Sequence, residues 1–128
     1  MKFTVFKTGA GDAVQLSDET AVIHSDQDAL DLMADAVYRF GSSKIIISEK
    51  NLNPRFFDLK TGFAGSVLQK FSNYNVQLAV IGDFSKFESR SLKDFIYECN
   101  SKRRIFFSRI FHPHWKNWGN EPVQYPAD

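Results

Sequence analysis

Residues 44–48 read Lys-Ile-Ile-Ile-Ser, and residues 76–81 read Val-Gln-Leu-Ala-Val-Ile. Each run is short, nearly all apolar and rich in β-branched side chains. Neither has a polar face, so a strand made from it must be covered on both sides, as inside a parallel sheet. Parallel neighbours cannot be joined by a hairpin and need crossover segments. The stretches between the runs must therefore supply helices.

They carry the spacing for it. Ser25 precedes a segment in which Ala29, Leu30, Met33, Ala36, Val37 and Phe40 recur on one helical face. Asp26 and Asp28 suit the positive end of that helix, Ser25 can cap it, and Gly41 stops it. A second helix is expected to begin between Asp58 and Gly62, with Ala64, Val67, Leu68 and Phe71 as its stripe and Asn73-Tyr74-Asn75 as its end. Ser89 can cap a third, with Leu92, Phe95, Ile96 and Cys99 on one face and Asn100 as its stop. Residues 51–55 read as a loop, because Pro54 holds Asn53 extended.

At the N-terminus, Phe3–Lys7 and Ala13–Leu16 flank the turn signal Gly9-Ala10-Gly11-Asp12 and read as a hairpin. Thr20–His24 is a short apolar approach to the first helix, and Ile105–Ser108 reads as a last strand. The expected fold is a small α/β domain: a mostly parallel sheet of four or five strands, an N-terminal β-hairpin and three main helices. One domain is expected over residues 1–108. Residues 109–128, with Pro113, Pro122 and Pro126 and two tryptophans, follow as an irregular tail.

Composition narrows the function classes. Sixteen basic and fifteen acidic residues leave a net charge of +1, which provides no broad positive field for nucleic acid or an anionic membrane. Lys102-Arg103-Arg104 reads as a solvated turn before a strand. The lone Cys99 cannot form an internal disulfide and reads as a small buried apolar group. No signal peptide or membrane span is evident, so a cytoplasmic protein is expected.

Motifs for chemistry are sparse. Gly9-Ala10-Gly11 lacks the third glycine of a dinucleotide fingerprint and leads into a strand. His112 and His114, with Asp58, Asp83 or Glu88, have too little spacing information to make a metal site, and no cofactor is expected. Glu49 and Asp83 follow strand runs, at the carboxyl ends where open α/β sheets bind ligands. The most distinctive string is Phe56-Phe57-Asp58-Leu59-Lys60-Thr61-Gly62-Phe63-Ala64-Gly65. Its glycines flank a helix start, where free amides attract anions, and Thr61 stands just before it.

That string, with Gln69-Lys70-Phe71, Asn73-Tyr74, Leu78–Phe84 and Asp94–Asn100, resembles the prokaryotic family called domain of unknown function 4180, up to about Ser108. The resemblance implies a small stand-alone protein with no assigned activity. More faintly, the order of elements is similar to the STAS domains of sulfate transporters and anti-sigma-factor antagonists. In those, a turn of Asp-Ser-Ser-Gly type opens a helix, and the serine before the glycine is phosphorylated. Asp58-Leu59-Lys60-Thr61-Gly62 is one residue longer, and the likeness implies Thr61 as the phosphoacceptor.

Three functions follow as expectations. The first is a non-enzymatic regulatory or interaction domain that meets a protein partner around Glu49, Asp58, Thr61, Gly62 and Asp83. The second is a small-ligand or enzyme site built from Glu49, Asp58 and Asp83 with Lys70 or Arg90. The third is a homodimer formed through an exposed edge strand and the abundant aromatics.

Overall fold

The computed structural model describes residues 1–8, 11–102 and 104–109. Strands β1 (Phe3–Thr8) and β2 (Gly11–Leu16) form an antiparallel hairpin. Strands β3 (Lys44–Ser48), β4 (Gln77–Ile81) and β5 (Ile105–Ser108) follow, each parallel to the strand before it. The five strands lie in sequence order, so the sheet is mixed, parallel apart from its hairpin. Helices α1 (Asp26–Phe40), α2 (Phe63–Asn73) and α3 (Arg90–Lys102) make the crossovers.

The local causes are visible. Ser25 Oγ accepts from the Asp28 amide, and Gly41 closes α1 in the left-handed region at φ 63°. Asn75 takes the same region after α2, at φ 59°, which asparagine tolerates better than most residues. The main core joins one sheet face (Ile45, Ile47, Leu78, Val80 and Phe107 among others) to the inner stripes of the helices. Phe56 lies at 0% exposure with Phe57 and Phe63 edge-on at 5.1 and 6.3 Å. Burying one such ring stabilises by about 2–3 kcal/mol. Phe57 also stacks on Phe87 at 4.7 Å, and Phe84 meets Phe107 at 5.4 Å. Phenylalanines thus fill the space beneath the loops at the strand ends.

Three local expectations are corrected. Residues 51–55 are not an open loop. Short 3-10 turns run through Glu49–Asn51 and Pro54–Phe57, and Ile23 bridges Leu52. The second helix opens at Phe63, because a third such turn, Leu59–Thr61, occupies the span where it was expected to start. Asn100 does not stop α3. Its side-chain amide donates to the Phe107 carbonyl at 3.1 Å, and its Oδ1 accepts from the Phe107 amide at 2.8 Å. Those backbone groups face away from β4, so Asn100 satisfies the outer edge of β5. The tail beyond Arg109, with His112 and His114, lies outside the described residues.

Candidate functional site

The segment around Thr61 is built as a chain of caps. Asn53 Oδ1 accepts from the Arg55 amide at 3.0 Å and starts the turn that buries Phe56 and Phe57. Asp58 ends that turn and caps the next, accepting from the Lys60 amide at 3.2 Å. Gly62 then swings to φ 74°, its amide donating to the Leu59 carbonyl at 3.1 Å. Helix α2 opens with no side-chain cap on Gly62. Thr61 Oγ1 serves instead, accepting from the Phe63 amide at 3.2 Å. The same hydroxyl donates toward the Asp58 and Arg55 carbonyls at 2.8 and 3.0 Å. Thr61 and Gly62 are both exposed, and the threonine hydroxyl binds the turn together.

Thr61, Gly62, Phe63 and Ser66 face the start of α1 across an open hollow of about 550 Å³. Ser25, Asp26, Gln27 and Arg55 complete its lining. Ser66 Oγ donates to Asp26 Oδ2 at 2.5 Å, so the first turns of the two helices are tied together. The Arg55 guanidinium lies 4.2 Å above the Phe63 ring and donates to the His24 carbonyl. The hollow therefore offers one cation, one carboxylate, one side-chain amide and three hydroxyls beside a helix start.

The expected carboxylates each have a local partner. Glu49 pairs with Lys86 at 2.8 Å and packs against Gly82. Asp83 accepts from the Ser85 hydroxyl at 2.5 Å and its amide at 3.1 Å. These bonds, with Arg109 and Lys86 nearby, hold its carboxyl below the usual range. Glu49 lines a hollow of about 420 Å³ with Lys86, Leu52, Pro54, Phe57 and Phe87. Asp58 and Asp83 line neither this hollow nor the one at Thr61, and Lys70 and Arg90 line neither as well. Among the described residues, no three His, Cys, Asp or Glu side chains gather as metal ligands. Cys99 packs at the margin of the core, and burial pushes its thiol up to about 11, far from a reactive thiolate.

One surface was not anticipated. Gln27 also borders a second groove, of about 470 Å³, lined by Leu30, Met33, Ala34, Val37, Tyr74 and Val76. Val37 is 49% exposed and Tyr74 64% exposed. Val37 continues the apolar stripe of α1, so its spacing signals core. Its exposure depends on how α2 is set beside α1, which periodicity does not encode. Gln27 Nε2 donates to Asp31 Oδ1 at 2.9 Å where the two hollows meet. The two hollows thus share Gln27 on α1, one polar at Thr61 and the other apolar at Tyr74.

No curated protein and no solved structure matches the chain. A family model described as Domain of unknown function (DUF4180) matches residues 9–112, most of the length, and the chain belongs to that family.

Proposed function

We propose that this protein is a non-enzymatic interaction domain of the cytoplasm, and that its partner lies along a track between Thr61 and Tyr74. The supporting observation is that Gln27 lines both the hollow at Thr61 and the apolar groove. The track follows α1 from Ser25 to Val37, roughly 18 Å at the helical rise per residue. That length accommodates about three turns of a partner helix or an extended segment of five to six residues. The exposed apolar side chains supply burial, and the polar end supplies register.

Thr61 is the control point in this reading. A phosphoryl group on Oγ1 removes the proton donated to the Asp58 and Arg55 carbonyls and adds charge between Arg55 and Asp26. The likeness of the element order to STAS domains supports the same position. Capture from the native host tests the reading with wild type, Thr61→Ala, Tyr74→Ser and the distant control Tyr97→Ser. The expected outcome is a specific partner held by wild type and the control and lost from the other two. Equal capture by all four overturns it.

A second reading has its own observation. The Glu49–Lys86 pair and the rings of Phe57 and Phe87 border one hollow, which suits a small ligand with an apolar body and a polar end. A ligand that binds wild type and is lost from Glu49→Gln, with Tyr74→Ser unaffected, would favour it.

A further inference from the structure

The sheet ends in two unlike edges. At β5, the Asn100 side chain bonds both outward backbone groups of Phe107. At β1, the outward positions follow from the hairpin ladder. The Ser17 amide donates to the Lys2 carbonyl at 2.8 Å, and Phe3–Thr8 pairs with Gly11–Leu16 in unbroken register. Alternation along an antiparallel pair then turns the backbone groups of Thr4, Phe6 and Thr8 toward β2, and those of Phe3, Val5 and Lys7 away from it. No other described residue bonds the outward groups of Phe3 or Val5. Neither a proline nor a bulge, the devices that commonly close an edge, interrupts β1. Helix α1 reaches Phe3 through Phe40, ring centre to ring centre 5.5 Å, yet it leaves Val5 46% exposed at mid-strand.

We infer that β1 pairs with β1 of a second copy of this chain, antiparallel about a two-fold axis at Val5. In that register Val5 opposes its own counterpart, and Phe3 and Lys7 oppose each other on either side of the axis. The outward N–H and C=O groups of all these positions are then satisfied together, and the two exposed valines cover each other at the axis. A second copy suits this edge better than a foreign strand. The edge matches itself in length and spacing, whereas a foreign peptide draws its specificity from side-chain pockets beside the strand. None of the hollows at Thr61, Glu49 and Tyr74 includes a β1 residue. A net charge of +1 sets little repulsion between copies. A contact one six-residue strand long, about 20 Å, falls short of the roughly 1,000 Å² of a permanent interface, so the dimer forms and dissociates with concentration.

Sedimentation of the full chain over a dilution series measures the association, and amide exchange at high and low concentration locates it. The expected result is a mass that rises from one chain toward two with concentration. The amides of Phe3, Val5 and Lys7 gain protection as it rises, and those of Thr4 and Phe6 do not change. Val5→Lys sets like charges across the axis, on a side chain that the single chain leaves exposed. It is expected to move association to severalfold higher concentration while keeping the urea midpoint of the dilute protein. Tyr74→Ser is expected to associate as wild type does. A one-chain mass at every concentration overturns the inference, and so does a dimer whose Phe3, Val5 and Lys7 amides exchange no slower than in the single chain. Association lost from Tyr74→Ser and kept by Val5→Lys also overturns it, because the groove at Tyr74 would then hold the second copy.

Discussion

Asn51 shows how a single polar side chain can organise a neighbourhood. It is fully buried, and its amide donates to the Asp18 and Thr20 carbonyls at 2.8 and 3.0 Å while its Oδ1 accepts from the Ser48 amide at 2.9 Å. Asn51→Ala strands all three groups, and a loss of about 2–4 kcal/mol is expected in chemical denaturation. Only the Ser48 bond, three residues away, is local; the Asp18 and Thr20 partners lie some thirty residues away and no period connects them. Ser25 and Gly41 were legible for the opposite reason, since capping depends on neighbours within one turn. Cys99 gives a pH test. Burial holds the proton on its thiol up to about 11 in the folded chain, against 9.0 for a free thiol. Below 9.0 both states are protonated and the contribution is fully present. Between those values only the unfolded thiol ionises, so stability falls as pH rises. Wild type should lose more stability than Cys99→Ala across that window, measured by urea denaturation.

At the scale of elements, the strands and helices are legible in the sequence, while the connection between β3 and α2 is not. Lys44–Ser48 has the same bounds in the sequence reading and in the structure, because an unbroken β-branched run has few alternatives. The 3-10 turns from Glu49 to Thr61 are three or four residues each, too short to show a period. Their caps Asn53 and Asp58 are legible only once the turns are known. Gly62 provides the test of this connection. Its φ of 74° strains any side chain, although no atom lies within 4 Å of an added Cβ. Gly62→Ala should cost about 1–2 kcal/mol and Gly62→Asn less, by thermal denaturation. Gly82 differs, since its added Cβ would lie 2.6 Å from Glu49 Cγ. Gly82→Ala should therefore displace Glu49 from Lys86 and cost about 1–3 kcal/mol.

Over the whole molecule, the main sheet face, its helices and the phenylalanine cluster form a rigid frame, and α1 and α2 present a shared seam on that frame. The sequence marked one end of the seam, at Thr61 and Gly62. The other end depends on the exposure of Tyr74 and Val37, which only the packing of two helices determines. Glu49, Asp58 and Asp83 looked similar in sequence because each follows or begins a turn. In the fold they have separate partners. No helix among the described residues is long and apolar enough to cross a membrane. The central claim is that a partner occupies the seam. Hydrogen–deuterium exchange on the purified complex tests it most directly. The account predicts added protection in residues 59–66, 27–37 and 73–76 on binding, with α3 unchanged. Protection confined to α3, or to the β1 edge, would contradict it.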